Sequence, residues 1–152
     1  ERLSGSYKML HLPDGLSQDS LHMLMTCDPQ IKEIGDLISR TDVLLFGIGT
    51  AMRMADQRHI TDDVRKQLVD NHAVGEALGQ YCDIEGKLIY STNNIGLSLP
   101  DVVKVPNVIA VAGGQEKASA IIGVMRACQK GILIIDEQAA EGMRQLLQIS
   151  AL

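Results

Sequence analysis

The chain has 152 residues, the length of one domain, and at that size roughly 68–70% of the unfolded surface is buried. With one Phe, three Tyr and no Trp, the core must be built from Leu, Ile, Val, Met and Ala, and the stacking platforms that hold single-stranded nucleic acid are missing. A net charge of −5 with no basic block lacks the clustered Lys/Arg footprint of a DNA-binding surface, so this chain by itself is not expected to bind DNA.

Cys27, Cys82 and Cys128 are odd in number, far apart and free of CxxC spacing, which speaks against a disulfide framework or a zinc site and for buried free thiols. His11, His22, His59 and His72 show no metal-ligand spacing. The seven Met residues read as core filler, and no metal or cofactor is expected. No apolar run approaches the ~18 residues of a membrane span and no signal-peptide pattern opens the chain, so a cytoplasmic protein without membrane contact is expected. The first residue is Glu1 rather than Met, which suggests a fragment of a longer protein.

In chain order, Tyr7 to Leu12 reads as a strand closed by the turn chemistry of Pro13-Asp14-Gly15. Ser17 and Asp19 can cap a following helix. A second helix is expected from Asp28 through Ile38, with Pro29 suited to its first turn and Ile31, Ile34, Leu37 and Ile38 on one face. Asp42 to Phe46 reads as a buried strand entering the glycine turn Gly47-Ile48-Gly49-Thr50. Thr61-Asp62-Asp63 starts a helix through about Asp70, and Val74 to Tyr81 reads as a short helix. After a turn at Asp83 to Gly86, Lys87 to Thr92 alternates like a strand with one wet face. Leu97 to Pro100 is a connector, and Val108 to Ala112 is a strand that turns through Gly113-Gly114 into a helix over Gln115 to Gln129. Gly131 to Ile135 forms a last buried strand, and Asp136 caps a helix over Glu137 to Leu147.

Strands alternating with helices of this length indicate parallel β-α units, an α/β fold whose ligands lie outside the carboxyl ends of the strands. Both glycine loops fall there. The Gly113-Gly114-x-x-Lys117 turn is no Walker loop, since it lacks G-x-x-x-x-G-K-[ST] and Ala118 follows Lys117. Something smaller than ATP is expected. Lys117 opens a helix, where a cation opposes the helix dipole, and a bound anion resolves that conflict. Lys117 would neutralise it while the amides near Gly114 and Gln115 donate to it. Gly47, Gly49 and Thr50 form either a second ligand loop or only a tight turn. Of Arg53 and Arg58, suited to grip phosphate through two parallel hydrogen bonds, Arg58 is chosen, with an exposed salt bridge as the alternative. Glu76 can accept hydrogen bonds from sugar hydroxyls, or else serve as a surface cap.

At these positions the chain resembles the effector-binding domain of SorC-type bacterial transcriptional repressors. The resemblance rests on Gly47-Ile48-Gly49, Ala73-Val74-Gly75-Glu76, Ile95-Gly96-Leu97, Val111-Ala112-Gly113-Gly114-x-x-Lys117-Ala118 and Ile135-Asp136-Glu137-x-Ala139-Ala140. Their order and spacing over nearly the whole chain are far more specific than any one of them. Asn93-Asn94 and the entry Leu3-Ser4-Gly5-Ser6-Tyr7 through Leu12-Pro13 point to the glycolytic branch of that family.

The resemblance implies a Rossmann-like, mostly parallel sheet with helices on both faces, similar to sugar-phosphate isomerases and deaminases. It implies sensing of a phosphorylated sugar without chemistry on it, at Gly47, Gly49, Thr50, Arg58, Glu76, Gly113, Gly114, Gln115 and Lys117. For the glycolytic branch the implied inducer is fructose 1,6-bisphosphate, which weakens operator binding by a homo-oligomer, dimer or tetramer. DNA would be met only through a helix-turn-helix domain that is not among these residues. The family's first glycine-threonine phosphate loop is also missing, so residues 1–152 are expected to be the C-terminal part of a single effector domain. An isomerase or deaminase of the same fold is the alternative.

Overall fold

The computed structural model describes residues 5–12 and 16–148, which fall into two compact units. The first comprises the residues up to Arg40 together with Asn93–Gly96. Its helices are α1 (Gln18–Cys27) and α2 (Pro29–Ser39). Ser17 caps α1 by accepting from the Ser20 amide, and Asp28 ends α1 and caps α2 by accepting from the Gln30 and Ile31 amides. Asn93 joins the start of α1, accepting from Gln18 Nε2 and donating to the Leu16 carbonyl, each at 3.1 Å. The expected strand at Tyr7 to Leu12 is not formed. A strand exists through its ladder, and among the described residues this segment has no paired strand and lies mostly exposed. The turn at Pro13-Asp14-Gly15 lies outside the described residues.

The second unit, Thr41–Thr92 with the residues from Leu97 on, holds both sheets. Its elements begin with β1 (Val43–Gly47), β2 (Gly49–Thr50), α3 (Ala51–Gln57) and α4 (Asp62–Asp70). The hairpin strands β3 (Gly75–Ala77) and β4 (Gln80–Cys82) follow, then β5 (Leu88–Ser91). A 3-10 turn at Leu99–Lys104 leads to β6 (Asn107–Ala112), and another at Gln115–Lys117 leads to α5 (Ala118–Cys128). The last elements are β7 (Ile132–Ile135) and α6 (Glu137–Leu146). The caps at Thr61 and Asp136 form as the sequence leads one to expect.

Three strands make a parallel sheet in the order β1-β6-β7, with Leu45 opposite Ile109 and Ile109 opposite Ile132. This is the α/β arrangement expected, a parallel sheet flanked by helices. The residues pointing to one side, Phe46, Val108 and Ala110, pack with Ile121, Val124 and Cys128 of α5 and Ala139 of α6 into the main core. The described residues leave the other side largely uncovered: Leu45 is 66% exposed and Ile132 64%, with Val43 and Ile134 beside them. The strands expected to be buried are therefore buried on one side only.

The expected helix at Val74 to Tyr81 is instead the centre of an antiparallel sheet, β2-β3-β4-β5. Leu78 and Gly79 both adopt positive φ, 54° and 78°, which is the backbone of a two-residue hairpin loop with a twist that suits the flanking strands. Such a loop is hard to foresee with Leu in its first position. The sheet reaches α5 closely because Gly75 has no side chain: a Cβ there would lie 2.8 Å from the Ala120 carbonyl oxygen. Of the cysteines, Cys82 and Cys128 are buried as expected, whereas Cys27 is exposed. Met52 and Met54 pack against the smaller core of Ala51, Ala55, Leu68 and Tyr81, but Met9 and Met23 are exposed.

Candidate functional site

At the carboxyl ends of β1 and β6, where open parallel sheets hold their ligands, lies a cavity of about 310 Å³. Gly47, Ile48 and Gly49 contribute from the junction of β1 and β2, and Arg53, Met54 and Gln57 from α3. Glu76 of β3, Val111 of β6 and Lys117 of the 3-10 turn before α5 complete the wall. A second hollow, of about 580 Å³ within the first unit, is bordered by Met23, Leu24, Cys27, Asp28, Pro29 and Gln30 and presents no basic side chain. It offers nothing to a phosphate.

Glu76 is held on both sides by the sheet, opposite Gly49 in β2 and Tyr81 in β4. Only 3% of it is exposed. A buried carboxylate is costly unless it is paired and hydrogen-bonded. Here Oε1 accepts from the Gly79 amide at 2.7 Å and from Arg58 Nη2 at 3.2 Å. Oε2 lies on the Gly49 side, 3.9 Å from where a Cβ of that residue would stand, and no hydrogen bond to it occurs among the described residues. The carboxylate thus keeps one oxygen without a hydrogen bond among the described residues. The surface-cap alternative for Glu76 does not describe a side chain so deeply enclosed.

Arg58, which ends α3, is spent on that ion pair and does not line the cavity. Arg53 does. Among the described residues neither Arg53 nor Lys117 has an ion-pair partner. Among the described residues, two cations without ion-pair partners therefore line the cavity, and the carboxylate of Glu76 in its wall has its own counter-charge.

The structure brings Gly47, Gly49, Glu76 and Lys117 together in the wall, and leaves Thr50, Arg58, Gly113, Gly114 and Gln115 outside it. Thr50 starts α3 and pairs with Gly75. The Gly114 amide, expected to donate to a bound anion, already has an internal acceptor: it reaches both Asp136 carboxylate oxygens, at 3.1 and 2.9 Å. Asp136 Oδ1 also accepts from the Ala139 amide at 2.8 Å, capping α6. The Gly113-Gly114 turn, with φ 94° at Gly114, is thereby tied to the next β-α unit. Arg53, weighed in the sequence but passed over for Arg58, and Gln57, not singled out as a site residue there, stand four residues apart on one face of α3, a spacing that marks them as a pair. Among the described residues no cluster of His, Cys, Asp and Glu could hold a metal ion, and no helix is long and apolar enough to cross a membrane.

Residues 1–145 match the family described as "Putative sugar-binding domain". The chain belongs to the sugar-binding domain family of SorC-type regulators. It is 36% identical over 141 residues to the Central glycolytic genes regulator of Bacillus subtilis (strain 168), covering 93% of this chain and 41% of that protein. The regulator of the same name from Priestia megaterium is 37% identical over the same coverage. Among solved structures, a "putative SorC family transcriptional regulator" from Enterococcus faecalis superposes with a TM-score of 0.83 at 38% identity, over 91% of this chain and 56% of that one. The full-length sorbitol operon regulator SorC from Klebsiella pneumoniae gives a TM-score of 0.67 at 24% identity, over 84% of this chain and 42% of its own, a likeness of fold. The chain spans about two fifths of the length of the curated relatives it matches. In this SorC-type domain the glycine turn after β1, the buried Glu76 and Lys117 meet in one cavity, as motifs far apart in the sequence must if they serve one ligand.

Proposed function

We propose that this chain is the ligand-sensing and oligomerising part of a bacterial repressor of glycolytic genes, and that a phosphorylated sugar binds the cavity beside Lys117. What carries the reading is the meeting of Arg53, Lys117 and Glu76 there: cations suited to a phosphate and a buried carboxylate suited to sugar hydroxyls. The likeness to glycolytic regulators supports fructose 1,6-bisphosphate as the effector. Residues 1–152 then form part of a larger effector domain, which the uncovered apolar face of the parallel sheet supports, since parallel sheets are ordinarily covered on both faces. Operator contact is assigned to a helix-turn-helix domain outside these residues. The effector acts by population shift, favouring one arrangement of a dimer or tetramer whose operator affinity is lower, with a coupling of about 1–3 kcal/mol.

The isomerase or deaminase alternative needs a positioned base beside the sugar carbon. Glu76 has one oxygen fully engaged, and the relatives named above are regulators rather than enzymes.

A thermal-shift panel of glycolytic intermediates on this chain tests the proposal. A ligand at a hundred times its Kd adds about 2.7 kcal/mol of stability, which at this chain length raises Tm by about 5–10 °C. Lys117→Ala should abolish most of that rise. The reading fails if no sugar phosphate shifts Tm, or if Lys117→Ala binds as well as the parent chain. Turnover of fructose 6-phosphate would favour the enzyme instead.

A further inference from the structure

We propose that the outer edge of β7 is an interaction surface for a second copy of this chain, the two strands pairing antiparallel about a two-fold axis at Leu133. This names a surface for the oligomerisation proposed above and rests on that half of the reading alone. β7 pairs with β6 on one side, and on the other no strand meets it among the described residues. An open edge offers unpaired amides and carbonyls to any matching strand, and proteins blunt such edges with charge, proline, a bulge or a covering element. β7 has no charge and no proline: it reads Ile132-Leu133-Ile134-Ile135 and keeps an unbroken register against β6. Its flanking charges are drawn inward. Lys130 Nζ donates to the Val103 and Val105 carbonyls, and Asp136 accepts from the Gly114 and Ala139 amides. The outer strands of the antiparallel sheet differ. β2 has only two residues, and Gln67 of α4 donates to the Ile89 carbonyl of β5 at 3.0 Å.

The edge fits its own copy. With Leu133 opposite Leu133, Ile132 of each strand meets Ile134 of the other on one side of the sheet, and both are exposed in the single chain. Such cross-strand pairs of β-branched residues are the favourable unit of a sheet. On the other side Ile135 falls opposite Gly131, so bulk meets space. The pairing also brings Lys130 of one copy to the end of the ladder where Asp136 of the other stands. Neither has an ion-pair partner among the described residues, so the charges of the two copies complement each other. Moving the axis to Ile134 would instead set Asp136 against Ile132. β1, the other outer strand of the parallel sheet, does not fit itself. Asp42 precedes it with no cation close behind its end, and antiparallel pairing would lay a second strand beside Gly47, in the cavity wall. Four residues a side make a small contact against the roughly 1,200–2,000 Å² of a standard interface, so the dimer is weak, with a Kd on the order of 0.1 mM.

Sedimentation velocity on the 152-residue chain without ligand, from about 10 µM to about 1 mM, should show monomer giving way to dimer. Ile132→Lys, at an exposed position, sets a charge into the pairing and should weaken the dimer by about tenfold or more, with far-UV circular dichroism reporting the retained fold. Ile134→Lys makes the same test should Ile132→Lys not fold. Leu45→Lys, on the same side of the sheet but two strands, about 10 Å, from β7, should leave the dimer within about twofold. Cysteine pairing in a Cys27→Ser background reads the register. Ile132→Cys mixed with Ile134→Cys should cross-link at least about fivefold faster than either variant alone, because Cα atoms directly opposite lie about 4.5–5.5 Å apart, within disulfide reach. A parent chain that stays monomeric at about 1 mM overturns both the edge pairing and oligomerisation by this chain. A dimer that Ile132→Lys leaves intact overturns the edge and keeps the oligomerisation. Equal losses from Leu45→Lys and Ile132→Lys do the same, since they locate the contact on the open side of the sheet. Mixed cysteines that cross-link no faster than single ones overturn the two-fold axis at Leu133. None of these outcomes touches the sugar-phosphate reading, which the ligand panel tests separately.

Discussion

Gly75, packed against α5, and Gly47, in the wall of the cavity, should respond oppositely to a single added methyl group, and their difference separates packing from ligand space. A Cβ at Gly75 would stand 2.8 Å from the Ala120 carbonyl oxygen and 3.0 Å from the Ala120 Cα, about 0.6 and 0.4 Å short of the 3.4 Å at which ordinary contact begins. Both atoms belong to the backbone of α5, and Gly75 is paired on either side, with Thr50 and Cys82, so neither layer yields by rotating a side chain. Overpacking of this kind costs about 1–3 kcal/mol, and the reduced freedom of the unfolded chain returns about 0.4–1. Gly75→Ala is therefore expected to lose about 1–2 kcal/mol, a visible fraction of the 5–15 kcal/mol that holds an ordinary domain together. At Gly47 the nearest atom to an added Cβ is the Val111 carbonyl oxygen at 3.9 Å, and its φ lies outside the left-handed region. Gly47→Ala should leave stability unchanged or up to about 1 kcal/mol higher, while its methyl group enters the cavity and weakens the ligand. Urea unfolding read by far-UV circular dichroism gives the first quantity. A loss of 1–2 kcal/mol moves the midpoint down by about 0.5–1.5 M at the m-values usual for small proteins. Sugar-phosphate calorimetry gives the second. Parent-like stability of Gly75→Ala would refute the close approach of β3 to α5, and a Gly47→Ala protein that is destabilised, or that binds as the parent does, would refute the open position of Gly47 in the cavity.

Asp136→Ala removes the cap of α6 and the acceptor of the Gly114 amide together, and should cost about 1–2 kcal/mol in the same urea assay, whereas Asp136→Asn, which can still cap, should cost less. A pair of equal losses would show that the charge, and not the cap, is what α6 needs. Burial pushes the thiol of Cys82 up to about 12, helped by the nearby negative charge of Asp83, and that of Cys128 up to about 11. Both therefore stay protonated in the folded chain. With a thiol-exchange reagent at pH 8 the native chain should release one fast equivalent, from exposed Cys27, and the other two only in denaturant. The unfolded chain gives up these two protons above the ordinary thiol value of 9.0, so this contribution is complete below pH 9 and drains away as the pH rises toward about 11. A urea midpoint flat from pH 8 to pH 10.5 in the parent chain would count against it.

Much of the fold was legible because its signals are local. Asp28-Pro29, Thr61-Asp62-Asp63 and Asp136 announce helix starts through the chemistry of their own side chains, and the helices begin there. The apolar run into Gly113-Gly114 similarly announces β6 and its turn. The hairpin of β3 and β4 escaped because it is decided elsewhere. Gly75-Glu76-Ala77 is too short to show a period of two, Leu78 adopts a positive φ that its residue type does not advertise, and the strands are fixed by pairing with β2 and β5 and by the glycine contact with α5. Val43, Leu45, Ile132 and Ile134 look like residues of strands buried on both sides, and composition alone does not tell which side the described residues cover.

The same distinction explains how the candidate site differs from its sequence outline. Glycine motifs mark where a backbone turns, and Gly47, Gly49 and the Gly113-Gly114 turn all stand at the carboxyl ends of β1 and β6, the correct edge of the sheet. Which polar group a turn offers outward depends on what else in the fold claims it. Asp136 arrives from the following β-α unit and takes the Gly114 amide, so that turn acts as a brace for α6 and for the segment leading to Lys117, and the positive charge toward the cavity comes from side chains instead. Arg58 is claimed in the same manner by Glu76, a residue eighteen positions away that becomes its neighbour only once β3 is in place. Arg53, which nothing charged among the described residues claims, is left facing the cavity. Residue type identifies the groups able to hold a phosphate. Competition among partners within the fold decides which of them remain available to do so.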